Sequence, residues 1–164
     1  MSDAPLRVQA KRVLKLCRAH DLHVATAESC TGGLVAAALT EIAGSSDVVD
    51  CGFVTYSNAA KQALLGVPAR TLDRHGAVSA ETAIAMAIGA LKHSQADLAV
   101  AITGIAGPGG GSKQKPVGLV HFAAARRDGR RIARKRLYGK IGRRRVRERS
   151  VAEALVLLSE LAAD

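Results

Sequence analysis

The chain has 164 residues, is 48% hydrophobic and carries a net charge of +10 at pH 7. That length suits one domain, residues 1–164, with a hydrophobic core of its own, and that composition excludes an intrinsically disordered chain. The sequence contains no apolar run of about 18 residues, so we expect no membrane-spanning helix. Its first residues lack an uninterrupted apolar signal core, so we expect a cytoplasmic protein.

The positive charge is concentrated in one segment. Residues 126–149 contain 13 Lys or Arg and two Asp or Glu, a net charge of +11, whereas the rest of the chain is close to neutral. Such a segment attracts polyanions such as nucleic acid, but it is also typical of a solvated hairpin and helix start. Aromatic residues make up only 2% of the chain, which leaves little for single-stranded bases to stack on. Nucleic-acid binding is therefore the less favoured interpretation.

The residues that commonly bind metals are dispersed. The three cysteines, Cys17, Cys30 and Cys51, show no C-x-x-C spacing, which argues against a disulfide framework and against a zinc site. The five histidines stand singly, and we interpret each as structural. We therefore expect no metal.

Hydrophobic periodicity predicts alternating helices and strands in the first half of the chain. Apolar residues at helical spacing indicate a helix over 6–20, and residues 23–27 are expected to form a short buried strand. An alanine-rich helix is expected over 32–43. The β-rich run VVDCGFVTYS follows over 48–57.

Two helices with clear end signals come next. A short helix over 58–66 ends at Gly66, with Pro68 just beyond it. Ser79 is well placed to cap a helix over 80–93.

The C-terminal part of the chain predicts a strand, a hairpin and a long helix. Residues 96–103, ADLAVAIT, form a short apolar strand, and Asp128-Gly129 is a hairpin turn between two further strands. The last helix is expected to begin near Gly142. Helices alternating with strands, followed by a hairpin and a helix, predict an α/β fold: one layered domain with a mixed, mostly parallel sheet and helices on both faces.

A loop rich in glycine and proline, GIAGPGGGSKQKPVG over 104–118, follows the strand of residues 96–103. A loop of this length is uncommon in a compact domain unless it has a function, and α/β sheets bind ligands beyond their strands. The loop lacks the G-x-x-x-x-G-K-[ST] pattern of a nucleoside triphosphate P-loop. We interpret it as an anion- or ligand-binding loop, with a mobile surface loop as the alternative.

The sequence ESCTGG lies where the first strand meets the second helix. Ser29 offers a hydroxyl nucleophile there, and the backbone N–H groups of Thr31, Gly32 and Gly33 would form an oxyanion hole. One alternative is that Ser29 only caps the helix. Another is a thiol enzyme that uses Cys30.

Four separated segments resemble the C-terminal domain family of the competence-damage-inducible protein CinA. In order they are TAESCTGGLVAAALTEIAGSS, GFVTYSNAAKQALLGV, RHGAVSAET and AITGIAGPGGGSKQKPVG, and the similarity runs from about residue 7 to residue 162. Stand-alone members of this family are similar to nicotinamide-nucleotide amidohydrolases. The resemblance implies hydrolysis of the carboxamide of nicotinamide mononucleotide to nicotinate mononucleotide and ammonia, without a metal or another cofactor.

The resemblance also implies a serine nucleophile paired with a lysine. It gives Ser29 as the nucleophile and Lys61, in TYSNAAKQ, as its base. A lysine can act as a base where burial and nearby cations lower its pKa. By position alone, Lys61 would be interpreted as a surface lysine of a helix. Tyr56 would relay a proton or hold Lys61 in place.

The expected substrate contacts follow the same resemblance. Thr103 ends a strand and Gly104 begins the loop, so both are expected to meet the substrate. Arg143 would bind the 5′-phosphate through two parallel hydrogen bonds. The alternatives are an ordinary strand residue at Thr103 and one more surface arginine at Arg143.

A domain this small often completes its site by self-association, so we expect a homo-oligomer. The competing function is a non-catalytic module that binds nucleic acid or a protein partner through residues 126–149.

Overall fold

A five-stranded mixed sheet forms the centre of the protein in its computed structural model, which describes residues 4–163. The strands are β1 (Val24–Glu28), β2 (Val49–Val54), β3 (Leu98–Gly104), β4 (Leu119–Arg126) and β5 (Arg131–Leu137). They lie in the order β2-β1-β3-β4-β5. β1 is parallel to β2 and β3, whereas β4 runs antiparallel to β3 and β5. Four of the five strands thus point the same way, which confirms the predicted mixed, mostly parallel sheet.

Helices cover both faces of this sheet. They are α1 (Ala4–Ala19), α2 (Leu34–Thr40), α3 (Asn58–Leu65), α4 (Ala69–His75), α5 (Ala80–Lys92) and α6 (Arg143–Ala163). Helices α1, α2 and α6 pack on one face, and α3, α4 and α5 pack on the other. The predicted α/β layers and the C-terminal hairpin followed by a helix are therefore confirmed.

The two faces of the sheet differ in side-chain size. Successive strand residues point to opposite faces, so large side chains such as Ile102 and Phe122 lie under α6 while alanines line the other face. These alanines are Ala25, Ala27, Ala99, Ala101, Ala123 and Ala125. A Cβ on Gly89 of α5 would lie 1.9 Å from the carbonyl oxygen of Leu65 in α3. The close approach of α3 to α5 buries the side of α3 that carries Lys61 and Leu65, one helical turn apart.

The carboxyl ends of the parallel strands meet at one edge of the sheet. The chain leaves β1 through a turn at 29–33, β2 through residues 55–57 and β3 through residues 105–118. Because β5 runs in the same direction as β3, the start of α6 also reaches this edge. Ligands of open α/β sheets bind at such an edge.

Two elements differ from the sequence-based expectation. Helix α4 was not expected, because its sequence ARTLDRH contains little apolar periodicity and buries only Leu72. Helix α2 begins at Leu34 instead of residue 32, because Gly32 and Gly33 have left-handed φ angles of 59° and 96°. None of the helices within residues 4–163 has the length and hydrophobicity to cross a membrane.

Candidate active site

Ser29 and Lys61 come together at the carboxyl end of β1. The Ser29 hydroxyl oxygen lies 3.1 Å from Lys61 Nζ, and this nitrogen also donates a 2.8 Å hydrogen bond to the carbonyl of Thr55. Lys61 is only 1% exposed, and none of the ion pairs among residues 4–163 involves it. Burial therefore lowers its pKa, because the charged form loses water without gaining a carboxylate. A neutral amine at this distance can accept the Ser29 proton.

Glu28, the residue before Ser29, is a buried cap for α2. Its carboxylate accepts N–H bonds from Gly33 at 3.0 Å, Val35 at 3.1 Å and Ala36 at 2.9 Å. These are the N–H groups that a helix start leaves without partners, and a carboxylate there also matches the helix dipole. Sequence reasoning missed this residue, because Glu28 ends β1 and the N-cap position of α2 belongs to Gly33, so the usual capping signal of a polar N-cap residue is absent.

Two of the three N–H groups expected to form an oxyanion hole already have partners in the structure. The Gly33 N–H donates to Glu28, and the Gly32 N–H donates to the carbonyl of Ser29 at 3.0 Å, so both are already bonded. A contribution of Gly32 or Gly33 to an oxyanion hole would require these bonds to change, and it stays a prediction. Within residues 4–163 the N–H groups of Cys30 and Thr31 find no oxygen acceptor, and they remain as donors for an oxyanion.

Tyr56 and Arg143 form a second linked pair. An Arg143 N–H donates to Tyr56 Oη at 2.7 Å, and another donates to the carbonyl of Gly107 at 3.1 Å. Tyr56 is 60% exposed and makes no hydrogen bond to Lys61 within the described part of the chain. The carbonyl of Thr55, not Tyr56, holds Lys61 in place. Arg143 joins the loop after β2 to the glycine-rich loop after β3.

Arg147, one turn after Arg143 on α6, binds the turn that carries Ser29. Its Nε donates to the carbonyl of Cys30 at 3.2 Å, and its second nitrogen donates to the carbonyl of Thr31 at 3.0 Å. Sequence reasoning missed this residue. The available signal was its position four residues after Arg143, which places both side chains on one side of α6.

Cys30 is unsuited to act as a thiolate. The residue is 6% exposed, and burial raises the pKa of its thiol to about 11, although Arg147 and Arg143 act in the opposite direction. A thiol with this pKa is protonated at neutral pH and is a poor nucleophile. The alternative of a thiol enzyme is therefore not favoured.

Thr103 and Gly104 have local structural contacts. The Thr103 hydroxyl donates to the carbonyl of Ala77 at 2.6 Å, and the side chain is buried. A Cβ on Gly104 would lie 2.8 Å from the carbonyl oxygen of Leu119, so the glycine allows β3 and β4 to approach closely. A substrate contact for either residue stays a prediction.

Several arginines of residues 126–149 are bonded within the protein. Arg127 donates to three main-chain carbonyls at the end of α5 and just beyond it. Arg134 and Arg136 both pair with Glu153 at 2.9 Å. These contacts give much of the segment a structural role and weaken the case for a nucleic-acid surface. Among residues 4–163, no three His, Cys, Asp or Glu side chains come together to hold a metal ion.

The fold and the site together define a class of protein: a layered α/β domain with a serine and a buried lysine paired at the carboxyl edge of its sheet. The chain belongs to the CinA C-terminal domain family, whose model matches residues 7–162.

Two relatives and one solved structure illustrate this membership. "Nicotinamide-nucleotide amidohydrolase PncC" of Escherichia coli (strain K12) is 49% identical over 158 residues, which are 96% of this chain and 95% of that protein. A "CinA-like protein" of Synechococcus sp. (strain RCC307) is 52% identical over 149 residues, 91% of this chain but 36% of that protein. The crystal structure of competence/damage inducible protein CihA from Agrobacterium tumefaciens is 54% identical, with a TM-score of 0.95 over 98% of this chain and 96% of that one. This chain thus spans nearly all of the E. coli relative and about a third of the Synechococcus one.

Proposed function

We propose that this protein is a nicotinamide-nucleotide amidohydrolase, which hydrolyses the carboxamide of nicotinamide mononucleotide to nicotinate mononucleotide and ammonia. The observation that carries the proposal is the 3.1 Å approach of the Ser29 hydroxyl to the buried amine of Lys61. The substrate follows from the name of the E. coli relative, of which this chain covers 95%. A serine hydroxyl is a weak nucleophile without a base, and the lysine supplies one.

Acylation uses the neutral form of Lys61. Ser29 Oγ attacks the carboxamide carbon and its proton passes to Lys61 Nζ, which gives a tetrahedral oxyanion and an ammonium. The N–H groups of Cys30 and Thr31 donate to the oxyanion. Lys61 then returns the proton to the amide nitrogen, the C–N bond breaks, ammonia leaves and the nicotinoyl group remains as an ester on Ser29.

Deacylation repeats these steps with water. Lys61 takes a proton from a water molecule as the water oxygen attacks the ester carbon. Collapse of the second tetrahedral oxyanion breaks the bond to Ser29 Oγ, which recovers its proton from Lys61. The overall reaction consumes one amide and one water and yields a carboxylic acid and ammonia; the proton that the acid loses in water converts the ammonia to ammonium.

Arg143 is the proposed phosphate contact. Its bonds to Tyr56 and Gly107 use two of its five N–H donors and fix the guanidinium between two loops at the active edge. The remaining donors can bind the 5′-phosphate, because a guanidinium matches a phosphate in shape and charge. Tyr56 thereby acts on the substrate through Arg143 and is not needed as a proton relay.

We also infer that the working form is a homo-oligomer. Tyr56 is 60% exposed and Arg143 is exposed as well, so the site lies open at the surface of one chain. A second copy covering it would exclude water and strengthen the electrostatic contacts.

The test is an assay for both products. The purified full chain, incubated with nicotinamide mononucleotide and excess chelator, is expected to release ammonia and nicotinate mononucleotide in equal amounts. Ser29→Ala is the matched control and is expected to release neither. A wild type that releases neither product, but binds nucleic acid with a strong salt dependence, would favour the competing binding function.

A further inference from the structure

The turn that carries Ser29 is held from two sides by oppositely charged side chains. Glu28 binds N–H groups at the start of α2, and Arg147 binds the carbonyls of Cys30 and Thr31. Arg147 approaches from α6, more than a hundred residues away in the chain. The Glu28 carboxylate accepts hydrogen bonds from N–H groups, and the Arg147 guanidinium donates hydrogen bonds to carbonyl oxygens, so the two side chains bind different polar groups of this region.

The contact with Cys30 fixes the direction of one particular N–H group. In a trans peptide the C=O and the N–H point in opposite directions. The carbonyl of Cys30 and the N–H of Thr31 belong to the same peptide unit. Because Arg147 holds this carbonyl toward α6, the Thr31 N–H must point away from α6.

The Thr31 N–H is the kind of group that an oxyanion site requires. Thr31 is 0% exposed, yet its N–H finds no oxygen acceptor within residues 4–163, and its buried hydroxyl oxygen also has no partner there. Buried N–H groups without a partner are rare in native proteins. The Gly33 N–H donates to Glu28 and the Gly32 N–H donates to the Ser29 carbonyl. The Thr31 N–H, in the peptide that Arg147 holds, is therefore one of the remaining donors for an oxyanion.

We propose that Arg147 is a positioning residue for the oxyanion hole, which holds the Cys30–Thr31 peptide so that its N–H faces the developing oxyanion. The inference rests on the proposed function, in which Ser29 is the nucleophile. Arg147 does not touch the reacting atoms. Its effect is on transition-state stabilisation and not on ground-state binding, because the oxyanion forms only after attack.

A positioning role differs from a general effect of positive charge. Arg147→Lys keeps the charge, but it replaces the planar guanidinium, which donates to two carbonyls, with a single ammonium group. Arg147→Met removes both the charge and the donors while keeping much of the apolar side chain. Arg145→Met is the matched control, because Arg145 is an exposed arginine of the same helix and has no contact with the turn within the described residues.

The experiment measures kcat and KM on nicotinamide mononucleotide for the wild type and the three variants. Loss of one oxyanion donor costs about 100-fold or more in kcat. We expect Arg147→Met to lose about that factor in kcat with KM changed less than about threefold, and Arg147→Lys to lose at least about tenfold. Arg145→Met should match the wild type. Thermal unfolding of each variant shows whether it is folded. If Arg147→Met is not folded, the comparison of Arg147→Lys with the wild type is the test.

A second readout does not depend on the substrate. A fluorophosphonate forms a bond from Ser29 Oγ to phosphorus and releases fluoride, the serine proton passing to Lys61, and its P=O oxygen needs the same donors. Labelling of Ser29 should slow by a similar factor in the Arg147 variants and stay unchanged in Arg145→Met. If the wild type is labelled in this pattern but releases no ammonia from nicotinamide mononucleotide, the proposed substrate is wrong and the inference about Arg147 stands.

Three results would overturn the inference. One is an Arg147→Lys variant with wild-type kcat beside an impaired Arg147→Met, which would show a charge effect instead of positioning. Another is a higher KM with unchanged kcat, which would make Arg147 a substrate contact. The third is a wild type in which Ser29 is not labelled at all, which would remove the nucleophile as well.

Discussion

Replacing Glu28 with glutamine should destabilise the protein far more than the loss of one surface charge. One carboxylate oxygen of Glu28 accepts from Gly33 and Val35, and the other accepts from Ala36. A glutamine keeps one acceptor oxygen and presents an NH2 group in place of the other. At least one N–H at the start of α2 then faces a donor, in a residue that is 0% exposed.

The expected cost is the sum of two effects. Leaving a buried N–H without an acceptor costs about 1–3 kcal/mol, and losing a negative charge at a helix start costs about 0.3–1 kcal/mol. We therefore expect Glu28→Gln to lower the free energy of unfolding by about 1.3–4 kcal/mol. For a chain of this size the midpoint of thermal unfolding should fall by about 3–16 °C.

Urea denaturation followed by far-ultraviolet circular dichroism measures this difference. Glu81→Gln is the control, since Glu81 lies in the first turn of α5 and is exposed. It removes the same charge from a helix start without leaving a buried donor, so only the smaller effect of about 0.3–1 kcal/mol is expected. A loss in Glu28→Gln no larger than in Glu81→Gln would refute the capping role.

Three further predictions concern the site. Lys61→Met should unfold at higher urea concentration than the wild type at pH 7, because burial lowers the folded-state pKa of Lys61 below its unfolded value of about 10.4. The unfolded wild-type chain then binds more protons than the folded one, so the free energy of unfolding of the wild type rises with pH up to the unfolded pKa. The extra stability of Lys61→Met over the wild type should therefore shrink between pH 7 and 10. A difference in stability that does not change with pH would contradict this. Arg143→Ala should raise KM for nicotinamide mononucleotide more than for the same substrate without its phosphate, and Arg145→Ala should raise neither KM. Equal increases in KM for both substrates would show that Arg143 does not bind the phosphate. Cys30→Ala should keep most of the activity that Ser29→Ala loses, since the thiol pKa is about 11, and the reverse result would establish a thiol mechanism.

The parts of the fold with regular periodicity were predictable from the sequence. The strands, the helices other than α4 and the C-terminal hairpin all show local signals, and the structure confirms them. Helix α4 lacks such a signal, because its short sequence buries a single leucine and depends on α5 for packing. Helix α2 is shorter than expected because two left-handed glycines form the turn before it.

The candidate site was predictable only in part. Ser29 and Lys61 were paired by resemblance, since nothing local distinguishes Lys61 from a surface lysine. Its burial follows from the contact between α3 and α5, which depends on Gly89 far along the chain. The spacing from Arg143 places Arg147 on the same side of α6, but its contacts with the Ser29 turn join residues 116 and 117 positions apart, and no local pattern indicates those partners. Glu28 shows no usual capping signal either, because it ends β1 and Gly33 occupies the N-cap position, so its bond to the Gly33 N–H could not be predicted.

The most direct test of the serine–lysine mechanism is the pH dependence of kcat/KM on nicotinamide mononucleotide, measured for the wild type beside Lys61→Arg. Burial lowers the pKa of Lys61, so the wild-type rate should rise with pH and level off well below the pKa of a free lysine, about 10.4. Lys61→Arg should be nearly inactive at every pH, because a guanidinium stays protonated and cannot accept the Ser29 proton. Near-normal turnover by Lys61→Arg would contradict the account, because an arginine can preserve the charge but not the base.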